Sequence, residues 1–143
     1  EQAEYARRLA GRWGFSTRAE AQREGGWVGR LVRGREARAS GMGTWVEGLT
    51  ALWRVSMKDP RVADLSGALE ERALCASGIL AARQVTEMQA ATYPRPDLVR
   101  GAWIRSGETR MDDQQHAFSG LLYTLDVLEG RLLRTPDGPV LAP

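Results

Sequence analysis

A polar stretch between positions 101 and 122 gathers most of the side chains that could do chemistry. It contains two adjacent carboxylates, Asp112 and Asp113, and the only histidine of the chain, His116. On a helix, this spacing allows a carboxylate and the imidazole to pair on one face. Such a pair can serve as a general acid and base. We therefore predict Asp113, His116 and Asp112 as the candidate catalytic residues.

Each of these residues also has a structural interpretation. Asp112 and Gln115 have the spacing of a capping box, so Asp112 can be a plain helix N-cap. His116 can equally be a histidine at the floor of a pocket with its ring nitrogens satisfied. Two aspartates and a histidine without further ligands are weak evidence for a metal. We predict neither a metal site nor a cofactor.

The number of polar residues before the apolar segment from Ala117 onward favours a functional site. A helix start uses about one or two polar side chains for capping. Natural sequences carry polar residues that capping does not require mainly at functional sites. Within twelve consecutive positions the chain has Arg105, Arg110, Asp112, Asp113, Gln114, Gln115 and His116.

Two Gly-x-Trp segments, at positions 25–27 and 101–103, precede two predicted apolar helices. If these helices are parallel neighbours, their starts and the preceding loops line one cleft. Indole faces stack on sugar rings and guanidinium groups bind carboxylates. The tryptophans can alternatively fix loops by packing, and Glu47 can be the capping-box partner of Thr44. The predicted substrate-binding residues are Trp27, Trp45, Glu47, Trp103, Arg105 and Arg110.

Four helices are predicted to position these residues, at 2–12, 44–57, 61–89 and 112–129. The second and the fourth are apolar on most sides, which is typical of interior helices. The third carries apolar residues at helical spacing beside a polar side, which is typical of an outer helix. Asp59 and Pro60 are expected to open the third helix, and Gly130 to end the fourth.

The length of 143 residues predicts a single all-α domain over 1–143, with a tail at 131–143. The net charge of +2 and the mixture of charges among the arginines of 7–38 argue against a nucleic-acid partner. No apolar run is long enough for a membrane span.

One cysteine, Cys75, excludes an intrachain disulfide and fits a secreted, periplasmic or cytoplasmic location, so the compartment stays open. The chain lacks an initial Met, which predicts removal of a preceding segment.

The order of outer helix, Gly-x-Trp loop and inner helix occurs twice. Its segments resemble those of the α/α-toroid superfamily, which includes six-hairpin glycosidases, sugar epimerases, unsaturated-uronyl hydrolases, terpenoid cyclases and prenyltransferases. The resemblance implies antiparallel helical hairpins in a partial or open toroid-like arrangement with long loops. A full toroid has many more helices, so the chain is expected to be the C-terminal part of a larger ring or a smaller open bundle. The segments are GGWVG, GTWVEGLTALWRV, DPRVADLSGALEERA and GAWIRSGETRMDDQQHAFSGLL.

The resemblance also implies a function. It indicates a carbohydrate-active hydrolase, lyase or epimerase that acts on a glycan or another small molecule in a polar cleft at the starts of the inner helices. A helical partner, from the same chain or another, would complete the ring. The alternative is a non-catalytic helical interaction or scaffold domain with 7–38 as its partner surface. A third hypothesis is a terpenoid or prenyl-lipid enzyme. It needs an apolar cavity lined by aromatic residues, and the two phenylalanines of the chain argue against it.

Overall fold

The computed structural model describes residues 1–11 and 38–134, without the side chains of 131–134. Helices account for 78% of these residues, which form no strand, so the predicted all-α class is confirmed. A 3-10 helix spans Pro60–Leu65 between the second and third α-helices. The α-helices are α1 (Gln2–Leu9), α2 (Ala39–Lys58), α3 (Ser66–Ala82), α4 (Glu87–Ala90), α5 (Pro96–Val99) and α6 (Met111–Arg134).

Helices α2 and α6 lie side by side and run parallel. Near their starts Arg38 binds Asp113, and further along both helices Arg54 binds Asp126. This is the arrangement that the hypothesis of a shared cleft requires. The two helices with the polar residues therefore begin at the same end of the molecule.

The backbones of α2 and α6 touch at two glycines. A Cβ atom added to Gly43 would lie 2.3 Å from the carbonyl carbon and oxygen of His116. A Cβ added to Gly120 would lie 3.1 Å from the carbonyl oxygen of Gly43. Since any larger residue needs the space that the other backbone occupies, glycine is what permits this approach. This contact fixes the position of His116 along the axis of α2.

Helix α3 packs against both α2 and α6, antiparallel to them. Its Ser77 hydroxyl lies 2.6 Å from that of Thr124 on α6, and both side chains are buried. Closer to the end of α3, the carbonyl of Leu80 accepts a hydrogen bond from the indole of Trp103, in the segment before α6. The core between the three helices is formed chiefly by Met42, Val46, Leu49, Trp53, Leu69, Ala73, Leu80, Ala117 and Val127.

The start of α2 differs from its prediction. The helix begins at Ala39, so Thr44 lies inside it and the predicted capping box with Glu47 is wrong. The Thr44 hydroxyl instead donates to the carbonyl of Ser40 at 2.8 Å. The cap comes from α6, because the Asp113 carboxylate accepts the backbone N–H of Ser40. A cap supplied by another helix cannot be recognised from the residues that adjoin the helix start in the sequence.

The third predicted helix starts as expected but ends early. The Asp59 carboxylate accepts from the backbone N–H of Arg61, and Pro60 occupies the first helical position. The first turns are 3-10, and α3 ends at Ala82 rather than near position 89. A new helix follows, which Thr86 opens with a capping box that the sequence analysis missed.

Helix α6 is longer and less buried than predicted. It begins at Met111, one residue before Asp112, so the expected N-cap role of Asp112 is wrong. It continues through Gly130 to Arg134, so the expected C′ glycine is wrong and positions 131–134 of the predicted tail are helical. Residues 135–143 lie outside the described part. One face of α6 is exposed at Phe118, where the prediction expected burial.

Candidate functional site

A polar cluster of Glu47, His116 and Ser119 forms where α2 meets α6. A Glu47 carboxylate oxygen lies 3.0 Å from Nδ1 of His116. The Ser119 hydroxyl donates to the other oxygen of the same carboxylate. His116 and Ser119 stand three residues apart, on the face of α6 that meets α2. One carboxylate thus holds both side chains across the helix pair; we call these residues the Glu47 cluster.

The cluster is open to solvent. The side chains of His116 and Glu47 are 33% and 23% exposed. An ionised carboxylate beside Nδ1 favours the tautomer that carries its proton there, which leaves the lone pair of a neutral imidazole on Nε2. This second nitrogen makes no hydrogen bond to residues of the described ranges. The geometry is suited to a general base, with the carboxylate orienting the ring.

Asp113 is held in a different environment, one turn earlier on α6. Its side chain is 3% exposed. The guanidinium of Arg38 binds it with two nitrogens, Nε at 3.1 Å and Nη2 at 2.5 Å, and the backbone N–H of Ser40 lies 3.1 Å from its other oxygen. Burial by itself raises the pKa of Asp113, but the hydrogen bonds from Arg38 and Ser40 outweigh it and the net pKa is lowered. Asp113 is thus an ionised cap that joins the starts of both helices.

His116 therefore takes its carboxylate partner from α2 rather than from its own helix. The spacing along α6 allowed a pair with Asp112 or Asp113, whereas the contact is with Glu47, 69 residues away. Asp112 is exposed in the first turn of α6, and Arg110 is exposed just before it. Catalytic roles of Asp112 and Asp113 remain predictions.

Trp103 is clamped to the start of α6 and packs in the core. Gln114 accepts from its backbone N–H at 3.2 Å and donates to its carbonyl at 2.7 Å. The indole itself is buried, with its N–H bonded to Leu80. Gln114 is thus a positioning residue, whose role the polar character of the stretch could indicate but not specify. In this arrangement Trp103 has a packing role, and sugar binding by it is still a prediction.

The other predicted binding residues are spread around the helix starts. Arg105 is half-buried, and its Nε atom is buried without a hydrogen-bond partner in the described part. Trp45 is half-buried and lines an apolar groove of about 540 Å³ between α1 and α2, of which Glu47 is not a lining residue. Trp27 lies outside the described residues. The structure therefore brings together Glu47 and His116, but not the whole predicted set.

Two residues of this region were missed by the sequence analysis. Ser119 stands one turn after His116, a spacing that could have indicated it. No helical spacing could have indicated Arg38, because its partner Asp113 is 75 residues away in the sequence.

Comparison of the chain with known protein families, with curated proteins and with solved structures finds no match. Within residues 1–11 and 38–134, no group of three or more His, Cys, Asp or Glu side chains is arranged to hold a metal ion. The helices of these same ranges include none that is both long and apolar enough to cross a membrane.

Proposed function

We propose that the protein is a carbohydrate-active domain in which His116, oriented by Glu47, acts as a general base at the starts of two inner helices. The observation that carries this proposal is the 3.0 Å contact between the Glu47 carboxylate and Nδ1 of the half-exposed imidazole. Ionisable groups cost desolvation energy at a helix interface, where apolar residues would pack at lower cost. A role in chemistry explains why they are there.

The dyad offers a simple mechanism. Nε2 of His116 accepts a proton from a water molecule or a substrate group, and the Glu47 carboxylate stabilises the imidazolium that forms. Ser119 is a positioning residue, because its hydroxyl fixes the second carboxylate oxygen. Arg105, Arg110 and Asp112 are the proposed polar residues of the surrounding cleft, whereas the Asp113 carboxylate is bound by Arg38 and Ser40.

The substrate class rests on the resemblance to α/α-toroid proteins. Two parallel inner helices with an antiparallel helix packed against them are compatible with a segment of such a ring. Carbohydrate is the substrate class of several toroid families, and hydrolase, lyase and epimerase all need a base. In this proposal a helical partner from this chain or another completes the ring.

The dyad should be required for turnover. On a panel of neutral and acidic oligosaccharides, analysed by mass spectrometry and NMR, we expect His116→Ala to lower the rate by about 100-fold or more, the usual contribution of a general base. Glu47→Gln keeps the shape of the side chain but not its charge, and should also slow turnover. Mass gain by water indicates hydrolysis, a new double bond indicates a lyase, and inversion without mass change indicates an epimerase.

The matched control is Asp126→Asn, which removes another α6 carboxylate that also binds an α2 residue, Arg54, but lies outside the cluster. It should leave turnover unchanged. Circular dichroism establishes that each variant is folded. Full activity in folded His116→Ala, or no turnover of any panel member by the wild type, would refute the proposal.

A second function, the helical interaction domain, is favoured by an apolar stripe along α6. We define the α6 stripe as Met111, Phe118, Leu122 and Leu125, which recur on one side of the helix. The last three are 59%, 46% and 51% exposed. Apolar residues at spacings of three and four form the contact face of paired helices. This stripe could pack on the α6 stripe of a second copy of the chain.

Changing the α6 stripe should then abolish self-association. We expect sedimentation velocity to show a concentration-dependent dimer for the wild type and a monomer for the double variant Phe118→Ser, Leu122→Ser. The melting temperature should change little, since exposed side chains contribute little to the fold. Wild-type protein that is monomeric at all concentrations, or a double variant that still dimerises, would exclude this interface.

A further inference from the structure

Helix α2 carries a second apolar face, opposite to the one that packs on α6. Its backbone meets α6 at Gly43, whereas Gly41, Gly48 and Val55 recur every two turns on the other side of the helix. With Leu9 of α1, this side lines the groove of about 540 Å³ between the two helices. Ligand-binding pockets typically measure roughly 300 to 1,000 Å³. The groove is therefore large enough for a small molecule.

The groove is long and narrow. Its floor is open at two glycines, because a Cβ added to Gly41 or to Gly48 meets nothing within 4 Å. At a rise of 1.5 Å per residue, the distance from Gly41 to Val55 along α2 is about 21 Å. The volume of about 540 Å³ divided by this length gives a mean cross-section of about 26 Å². Non-bonded carbon atoms pack about 4 Å apart, so this width accepts one hydrocarbon chain. An α-helix, at about 10 Å across, is too wide to be enclosed.

The lining of the groove is apolar. None of the described residues that line it is charged, and its walls are aliphatic at Leu9, Leu52 and Val55. The hydroxyl of Thr44 donates to the carbonyl of Ser40, so its proton is not available to a ligand. Binding in this groove therefore depends on burial of hydrocarbon, which contributes free energy in proportion to the apolar area removed from water.

A cation stands at one end of the groove. Lys58 follows Val55 by three residues, which makes the two side chains neighbours on the surface of α2. Lys58 is exposed and makes no ion pair within residues 1–11 and 38–134. The adjacent acid, Asp59, is bound by the guanidinium of Arg61 at 2.7 Å. A ligand with a carboxylate at one end of a hydrocarbon chain is complementary both to the uncharged channel and to this lysine.

We propose that this groove binds one long-chain fatty acid, with its carboxylate beside Lys58 and its hydrocarbon chain along α2 toward Gly41. An extended chain gains about 1.2 Å per bond, so a groove of this length holds about sixteen carbons. The inference goes beyond the proposed function, because none of these residues belongs to the Glu47 cluster. Binding here requires no catalysis at His116.

Affinity should rise with the length of the hydrocarbon chain. We expect titration calorimetry with octanoate, decanoate, dodecanoate and tetradecanoate, below their micelle concentrations, to show one site per chain. The Kd should fall about two- to fourfold for each added CH₂ group, the larger figure being that of a fully buried group. Val55 is 43% exposed, so the open side of the groove favours the smaller figure. His116→Ala should bind decanoate like the wild type, which separates this site from the proposed catalytic one.

The head group is tested with decanoate and decanol, which carry the same hydrocarbon chain. Lys58→Gln should weaken decanoate binding about two- to fivefold, the modest contribution of an exposed charge pair, and should leave decanol binding unchanged. Lys58→Arg should keep the affinity for decanoate, because it keeps the charge. Decanoate affinity that is the same in wild type and Lys58→Gln would overturn the proposed orientation of the ligand.

Gly48→Leu should fill the groove without disturbing the core, since its new side chain enters open space. Decanoate binding should fall by about tenfold or more, because several CH₂ groups lose their contacts. Gly78→Leu is the matched control, since a Cβ added to this α3 glycine also meets nothing within 4 Å but lies outside the groove.

Unchanged decanoate binding in folded Gly48→Leu, or a Kd that does not depend on chain length, would overturn the proposal. Two other results would also overturn it by assigning the groove to another occupant. The first is no binding of decanoate together with a change in the sedimentation of Gly48→Leu, which indicates a second copy of the chain. The second is binding to phosphatidylglycerol vesicles without binding of dissolved decanoate, which indicates a membrane surface.

Discussion

Replacing Gly43 by alanine should destabilise the protein by about 3 kcal/mol, the upper range for an overpacked interior. The new Cβ would lie 2.3 Å from backbone atoms of His116, and backbone cannot rotate away as a side chain can. The two helices must therefore separate, which opens the core around Val46 and disturbs the contact between Glu47 and the imidazole. Alanine has a higher helix propensity than glycine, so propensity alone would make Gly43→Ala more stable than the wild type.

Two glycines of the same helix provide matched controls. A Cβ added to Gly41 or to Gly48 meets nothing within 4 Å. Alanine at either position should stabilise the protein by up to about 1 kcal/mol, because it restricts the unfolded chain and favours helix. Urea unfolding of the three variants measures the contrast. If Gly43→Ala is as stable as Gly41→Ala, α2 and α6 are not in backbone contact at this point.

Removing the carboxylate of Asp113 should cost about 3 kcal/mol of folding free energy at neutral pH. Asp113→Ala leaves the Arg38 guanidinium without its partner and the Ser40 N–H without its acceptor at the start of α2. Breaking a buried charge pair is costly for this reason. Asp126→Ala is the control, since its pair with Arg54 is exposed and such surface pairs contribute less than about 1 kcal/mol.

The effect of Asp113→Ala should depend on pH with a definite sign. The folded-state pKa of Asp113 lies below that of the unfolded chain, about 3.9. The stabilisation is therefore complete above this value and is lost as the pH falls through the lower, folded pKa. Denaturant unfolding should show the gap between wild type and variant narrowing on acidification below about pH 4. A stable Asp113→Ala protein that has lost only turnover would instead assign this residue to catalysis.

These variants also separate the two carboxylates near His116. The carboxylate oxygens of Asp113 accept hydrogen bonds that join the starts of the two helices. The Glu47 carboxylate instead contacts a partly exposed imidazole. We expect changes at Asp113 to act on stability first, and changes at Glu47 to act on turnover first. This difference between the two residues follows from burial and hydrogen bonding rather than from residue type.

The helical class and several local features of the fold could be predicted from patterns of neighbouring residues. Asp59 and Pro60 marked a helix start that the structure confirms, because a cap is made by neighbours in the chain. The spacing of residues after Met111 predicted a helix with His116 in its second turn, since helical periodicity is also a local property. His116 does stand beside a carboxylate, but it is that of Glu47 and not that of Asp112 or Asp113.

The pairing of the polar groups depends on how the helices pack. Glu47 reaches His116, and Arg38 reaches Asp113, across about 70 residues of chain, and neither pair has a spacing that a helix period could reveal. The early start of α2 and the exposed side of α6 depend on the same packing. Local patterns report interactions within about one helical turn, while partners across an interface are set by how closely two backbones approach. Here that approach depends on the missing side chain of Gly43.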